Sequence, residues 1–269
     1  MKKQLNIIIP LFKNDFSFNK EFCSHKYLTK IGVKKKLIEF TLNSIQKLNK
    51  NFSLNLYFVL NNNDNEKLAL KKEITKKKNL KKKIIFIGKS KSIIETCLKA
   101  GEYLNKDYPT LIFHPDSYSK IDQEKFNDLL KKNHNAVLFG YKGFNPVESV
   151  NSNTDRFTTK NKTLVKKIYL KSRFSEEMIN TAGLFYFSSF NIFEKYSKKV
   201  LSKKNYKLKI TSEVFQEMIA SGLEVSYLIV KLFVNFSNIN AVNEFLFWKK
   251  YFLEKKTYPK KKLNINNII

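Results

Sequence analysis

The residue that bears most directly on chemistry is Asp116, in Thr110-Leu-Ile-Phe-His-Pro-Asp-Ser-Tyr118. Leu111, Ile112 and Phe113 read as a buried strand, and that strand runs into a carboxylate. In open α/β sheets, ligands bind beyond the carboxyl ends of the strands. Mg²⁺ is held by one or two carboxylates together with phosphate oxygens. Taken alone, the stretch reads more simply as a strand followed by an Asx-turn, so the rest of the chain has to decide.

With 269 residues, 42% of them hydrophobic and 14% aromatic, the chain can bury a full core. No apolar run approaches the roughly 18 residues of a membrane-spanning helix. Leu5–Ile9 is too short for the apolar part of a signal peptide and ends at Pro10, so it reads as a first strand. Cys23 and Cys97 are too few for a disulfide framework, and a cytoplasmic location is the default expectation. The formal net charge is +28, which would suit polyanions. Almost all of it is Lys, with Arg only at Arg156 and Arg173. Nucleic-acid surfaces favour the flat, bidentate Arg fork. Lys here travels with abundant Asn, Ile and Phe, so the charge is read as compositional drift rather than a nucleic-acid footprint.

The elements that must position Asp116 follow from periodicity. Strands are expected at Leu5–Ile9, Leu54–Leu60, Lys81–Ile87, Thr110–Phe113 and Ala136–Tyr141. Between them lie helices at 35–48, 66–78, 92–104 and 122–132. That alternation argues for a parallel sheet with helices on both faces. Residues 12–29 form a long polar loop, and 141–163 is loop-rich. Strands at 164–170, 183–187 and 224–230 and helices at 189–196, 211–221 and 241–253 complete the second half, with Asn180 placed in a loop. Thr211 is offered as a helix cap, and Gly222 as the glycine that ends the same helix. The expected fold is a three-layer α/β/α domain over 1–253 around a mostly parallel mixed sheet. It divides into a regularly alternating half, about 1–140, and a more loop-rich half, about 141–253. The basic tail 254–269 reads as partly disordered.

This order of elements, with local residues, resembles the sugar nucleotidyltransferases, NDP-sugar pyrophosphorylase-like proteins with a GT-A-like Rossmann sheet. Leu5-Asn-Ile-Ile-Ile-Pro10 is similar to the family's first strand, and His25-Lys26-Tyr-Leu28 to its Pro-Lys-Pro-Leu segment. Ser92-Ile-Ile-Glu-Thr96-Cys-Leu98 is similar to its Gly-x-x-x-Thr-x-Leu stretch, and Leu111–Asp116 to the strand ending in the metal-binding aspartate. Asn180-Thr-Ala-Gly183-Leu-Phe-Tyr186 matches the sugar-side Asn-x-Gly-x-Tyr segment. Asn235–Asn240 stands where the family has Asp-x-Gly-Thr-Pro-Glu.

The resemblance implies an Mg²⁺-dependent attack of a small phosphorylated acceptor on the α-phosphorus of an NTP. Such a phosphate needs no general base, so the protein's work is positioning and charge neutralisation. Lys26 would meet the triphosphate, Asp116 and Asn235 the metal, and Lys171 the acceptor phosphate. Ser92, Thr96 and His114 would line the base or ribose side, and Asn180 and Gly183 the sugar side. The chain also departs from the family. Its phosphate run, Leu11-Phe-Lys-Asn-Asp-Phe-Ser17, has no glycine to bring backbone N–H groups to phosphates. Ser17 stands near the family's arginine, Asp15 adds a negative charge, and Lys13 is the local substitute cation. Leu170 replaces the glutamate beside Lys171.

Four readings stay open: a nucleotidyltransferase for surface-glycan precursors, a catalytically impaired relative, a GT-A glycosyltransferase and a basic RNA-binding protein. The glycosyltransferase predicts a second carboxylate beside Asp116, where His114, Pro115, Ser117 and Tyr118 stand. The RNA binder predicts clustered lysines beside exposed aromatics. The nucleotidyltransferase predicts Lys26, Asp116, Lys171 and Asn235 around one cleft.

Overall fold

Strand β1 (Lys3–Leu11) is apolar on both faces, as a strand covered on both sides must be. Leu5, Ile7 and Ile9 enter one hydrophobic cluster and Ile8 the other. The computed structural model describes residues 2–11, 20, 25–31, 35–62, 66–76, 80–132, 134–143, 154–173 and 175–254. The proposed phosphate run, with Lys13, Asp15 and Ser17, lies outside the described residues, as do Cys23, Pro146 and the tail 255–269.

The chain continues through β2 (Lys30–Ile31), β3 (Lys35–Lys36), α1 (Leu37–Gln46), β4 (Phe52–Asn61), α2 (Lys67–Thr75), β5 (Lys81–Ile87), α3 (Ile93–Lys99), β6 (Thr110–Phe113), β7 (Ser117–Lys120), α4 (Gln123–Lys131) and β8 (Ala136–Tyr141). The second half adds β9 (Arg156–Thr159), β10 (Val165–Tyr169), β11 (Ile179–Phe187), α5 (Phe190–Ser202), α6 (Thr211–Ala220), β12 (Ser226–Ile229), β13 (Leu232–Asn235) and α7 (Ile239–Glu254). The main sheet runs β10-β9-β11-β6-β1-β4-β5, with β8 joining β11 to β12. Pairings among β6, β1, β4 and β5, and of β12 with β8, are parallel. Strand β11 is antiparallel to β6, β8 and β9.

Two clusters, one on each face of the sheet, make the three layers. One holds the buried residues of α1, α2 and α4 with Val242 of α7; the other holds those of α3, α5 and α6. The expected α/β class with a mixed sheet between helices is therefore what the chain adopts. No helix among the described residues is long and apolar enough to cross a membrane. At the centre of the first cluster, Phe126 of α4 is fully buried against Phe52, Phe139 and Tyr186, with ring centroids 5.3–5.9 Å away. Phe126→Ala is expected to cost about 3–5 kcal/mol, measured as a lower midpoint in urea unfolding at unchanged slope.

Four sequence expectations change. Strand β9 lies in the segment read as loop, and β7 and β13 form a separate antiparallel pair. Asn180 lies inside β11, not in a loop. Thr211 is the first helical residue of α6, and its carboxylate partner Glu213 instead accepts the N–H groups of Leu208 and Ile210. His25 is buried, and its Nδ1 accepts the Tyr27 N–H and so caps the 3₁₀ turn Lys26–Leu28. Gly222 ends α6 at φ +81°, the left-handed position that glycine takes without strain.

Candidate functional site

After β6 the chain must turn without leaving its polar groups unpaired, and neighbours from three directions hold it. The His114 N–H donates to Gly183 O of β11 at 2.9 Å. Pro115 O accepts the Thr41 hydroxyl of α1 at 2.7 Å. Asp116 O accepts the Phe236 N–H at 2.8 Å. Asp116 is thereby fixed at the carboxyl end of β6. The β7–β13 pairing then sets Asn235 opposite Ser117, which carries it to the neighbourhood of Asp116 from more than a hundred residues away in sequence.

The capped turn after His25 presents Lys26 to the same place. Its Nζ lies 3.4 Å from Asp116 Oδ2 and donates to Ser237 O at 2.6 Å. The Lys26 side chain is 8% exposed and that of Asp116 30%, so the cation is held from within while the carboxylate faces outward. Asn235 Oδ1 accepts the Ser237 N–H at 2.8 Å, an Asx-type turn that orients the Ser237 carbonyl, which accepts from Lys26.

Asp116 and Asn235 line a cleft of about 490 Å³, together with Ser92, His114, Lys171 and Gly183. Lys26 is joined to that wall through Asp116. Ser92 caps α3, its hydroxyl accepting the Glu95 N–H at 3.2 Å. Gly183 has φ +66°, and a Cβ there would stand 3.2 Å from His114 Cβ. Glycine is thus required both by the backbone and by the close approach of His114. The half-buried His114 packs on Phe185 and lies 3.4 Å from the Thr211 hydroxyl. Burial holds its imidazole below the usual histidine range, although Asp116 and Asp155 pull the other way.

Besides Lys26, two proposed residues fall outside this lining. Thr96 is fully buried in α3, its hydroxyl bonded to Ser92 O and Ser90. Asn180 is buried and accepts from the Arg156 guanidinium at 2.8 Å; it borders a separate small cavity beside Glu176 and Glu177. Thr96 thus sits in the packing of α3, and Asn180 in the support of a buried arginine.

Asp155 is a cleft residue that sequence reasoning passed over. Its Oδ1 accepts the Lys171 N–H at 3.1 Å, and its Oδ2 accepts the Ser212 hydroxyl at 2.6 Å. Lys171 takes a left-handed φ of +42°, which costs a side-chain-bearing residue about 1–2 kcal/mol, and the Asp155 bond steadies that turn. Each Asp155 oxygen keeps a further lone pair for a donor in the cleft. A stacked pair, Tyr141 and Phe233, with centroids 4.0 Å apart, supplies an apolar part of the wall.

For a divalent cation, the donor chemistry fits a metal shared with a substrate. Among the described residues no group of three or more His, Cys, Asp or Glu is placed to cage a metal. One outward carboxylate with an amide oxygen nearby is the sparse set that suits Mg²⁺ bound mainly through phosphates and water.

Comparison with solved structures places this fold. A nucleoside-diphosphate-sugar pyrophosphorylase from Vibrio cholerae RC9 superposes with a TM-score of 0.71 at 15% identity, over 89% of this chain and 99% of that one. UDP-glucose pyrophosphorylase complexed with UDP-glucose gives 0.67 at 12% identity, over 93% and 100%. The inositol-1-phosphate CTP transferase from T. maritima gives 0.63 at 11% identity, over 95% and 98%. No family model and no curated protein sequence matches the chain. At such identities the likeness is one of fold, and this chain has the fold of the nucleotide-sugar pyrophosphorylases across nearly its whole length.

Proposed function

We propose that the protein is a nucleotidyltransferase that joins a sugar phosphate or related polyol phosphate to a nucleoside monophosphate unit drawn from an NTP. The observation that carries this reading is the meeting of Lys26 and Asp116, 90 residues apart in sequence, at the carboxyl end of β6, where Asp116 lines one cleft with Asn235 and Lys171. A phosphate oxygen of the acceptor attacks the α-phosphorus in line, the new P–O bond forms as the α–β bridge breaks, and pyrophosphate leaves. Asp116, with Asn235 beside it, would hold Mg²⁺, which supplies charge neutralisation on the phosphates. Lys26 supports the developing negative charge of the leaving group, and Lys171 the acceptor phosphate. Ser92 and His114 border the nucleoside side. The names of the structural neighbours support a sugar or cyclitol phosphate as acceptor, and we place the product among activated precursors of a surface glycan such as capsule or lipopolysaccharide, made in the cytoplasm where NTPs are abundant.

A pyrophosphate-release assay over the common NTPs, each with a panel of sugar and polyol phosphates and Mg²⁺, tests the proposal. Turnover with one NTP–acceptor pair is expected; its absence across the panel contradicts it. Asp155 gives a more specific expectation. Its spare lone pairs face the cleft next to Lys171, where an acceptor bearing hydroxyls would donate to them. Asp155→Ala is expected to raise the acceptor KM about 10–100-fold, the worth of a hydrogen bond to a charged group, with the KM for NTP little changed. Initial rates with each substrate varied in turn give both values.

A second reading, a binding protein without turnover, is favoured by one observation. The Asp116 carboxylate is already engaged by Lys26, so in this state the cation and the metal-type ligand partly neutralise each other.

A further inference from the structure

Among the described residues two non-glycines take a left-handed φ, Lys171 at +42° and Lys209 at +52°, where a side-chain-bearing residue is strained. Both stand at the same cleft. Lys171 lines it, and so do Leu208 and Ile210 on either side of Lys209. Strain of this kind persists only where the surroundings over-determine it, and it gathers at ligand sites.

The loop that carries Lys209 into α6 is held more firmly than a connection needs. Glu213, 2% exposed, pins both neighbours. Its Oε1 accepts the Leu208 N–H at 3.2 Å and its Oε2 the Ile210 N–H at 3.0 Å. Lys209 Nζ reaches back to the end of α5, donating to Val200 O at 2.6 Å and Lys203 O at 2.7 Å. What this scaffold holds up is Leu208, which is 38% exposed and belongs to neither hydrophobic cluster. A lone exposed leucine is ordinary on a surface, but this one lines a cleft from a strained and pinned loop. Its place is the acceptor end. Four residues on, the Ser212 hydroxyl donates to Asp155 Oδ2, while Asp155 Oδ1 accepts the Lys171 N–H.

We propose that Leu208 sets acceptor specificity by packing on a deoxygenated edge of the sugar, so that the site favours a deoxysugar phosphate over the fully hydroxylated hexose phosphate. This rests on the nucleotidyltransferase reading. With the acceptor phosphate at Lys171 and one hydroxyl at Asp155, another edge of the ring is turned toward Leu208 and Ile210. Their side chains are hydrocarbon, and their N–H groups are already taken by Glu213. A sugar hydroxyl at that edge would give up water without gaining a donor from either residue, whereas a C–H or methyl group gains contact. An apolar lining does not exclude a hydroxyl outright; its discrimination is about 10–100-fold.

The test is calorimetric titration of the full-length protein with Mg²⁺ and each common NTP as its α,β-methylene analogue, whose bridge cannot break. The probes are glucose 1-phosphate and galactose 1-phosphate, each beside its 2-, 3-, 4- and 6-deoxy analogues. The expected result is that one deoxy analogue binds the wild type about tenfold or more tightly than its parent. Leu208→Asn is expected to bring that ratio close to one and Leu208→Met to keep it, with the melting temperature of the wild type in both. A general structural role would weaken every probe alike and leave the ratio unchanged. Equal binding of parent and deoxy analogues, or a preference undiminished in Leu208→Asn, would overturn the inference and leave the nucleotidyltransferase reading standing. No binding by any of these sugar phosphates with any nucleotide analogue would count against that reading itself and take the inference with it.

Discussion

Asp116→Asn is expected to lower kcat for pyrophosphate release about 10³-fold, while the protein stays folded. The asparagine keeps the size of the side chain and an oxygen acceptor for Lys26, so the 3.4 Å contact can persist as a hydrogen bond. What is lost is the negative charge that would hold the divalent cation against the NTP phosphates. Lewis-acid stabilisation of a phosphoryl oxygen is worth several kcal/mol, and roughly 1.4 kcal/mol is tenfold in rate. The side chain is 30% exposed, so the stability change should stay within about 1 kcal/mol. The checks are steady-state kinetics at saturating Mg²⁺ together with the melting temperature. A variant with near wild-type kcat would remove Asp116 from the chemistry.

Lys26→Met is expected to cost about 10²–10³-fold in kcat, the range seen when one preorganised electrostatic partner of a transition state is removed. Met fills the volume of the stem but cannot donate, so Ser237 O loses its 2.6 Å partner and Asp116 its cation. Breaking the pair also costs stability, about 1–3 kcal/mol, because Lys26 is 6% exposed and Ser237 O then lacks that donor. Unfolding measured beside the kinetics separates the two effects. Lys26→Arg is not expected to rescue. The planar guanidinium needs a wider fork than the space between Asp116 and Ser237 O that one ammonium fills. A Lys26→Met enzyme with reduced stability but unchanged kcat would make the ion pair a structural strut.

The parts of this fold that could be read from sequence are those whose signal is local. Strands β1, β4 and β6 are largely apolar runs between turn residues, each of β1 and β4 broken by one buried asparagine, and α1 and α4 carry the helical 3-4 spacing. The β7–β13 pair was invisible because Ser117-Tyr-Ser-Lys120 is mostly polar, and its partner, Leu232–Asn235, is remote in sequence. Yet that pair brings Asn235 to Asp116. Sequence alone leaves Asn180 in a loop because its reason for burial, the Arg156 guanidinium, lies on another strand. The burial of His25 likewise depends on a hydrogen bond that has no sequence signature. Asp155 could have been noticed through the scarcity of acid, 23 Asp and Glu against 51 Lys and Arg: in so basic a chain an acidic residue at the mouth of a strand is worth a question. Asp116, Lys171 and Asn235 line one cleft, with Lys26 joined to Asp116, although nothing in their own sequence spacing requires it.

In the proposed reaction an NTP and Mg²⁺ would meet at Asp116. The most direct test is thermal unfolding of the wild type and Asp116→Ala with each NTP, with and without Mg²⁺. A ligand that binds the folded state alone raises the melting temperature by mass action, about 2.7 kcal/mol of added stability at a concentration 100 times its Kd. A Mg²⁺-dependent rise with one NTP that disappears in Asp116→Ala is the expected result. No rise with any NTP at millimolar concentration, or the same rise in Asp116→Ala, would contradict it.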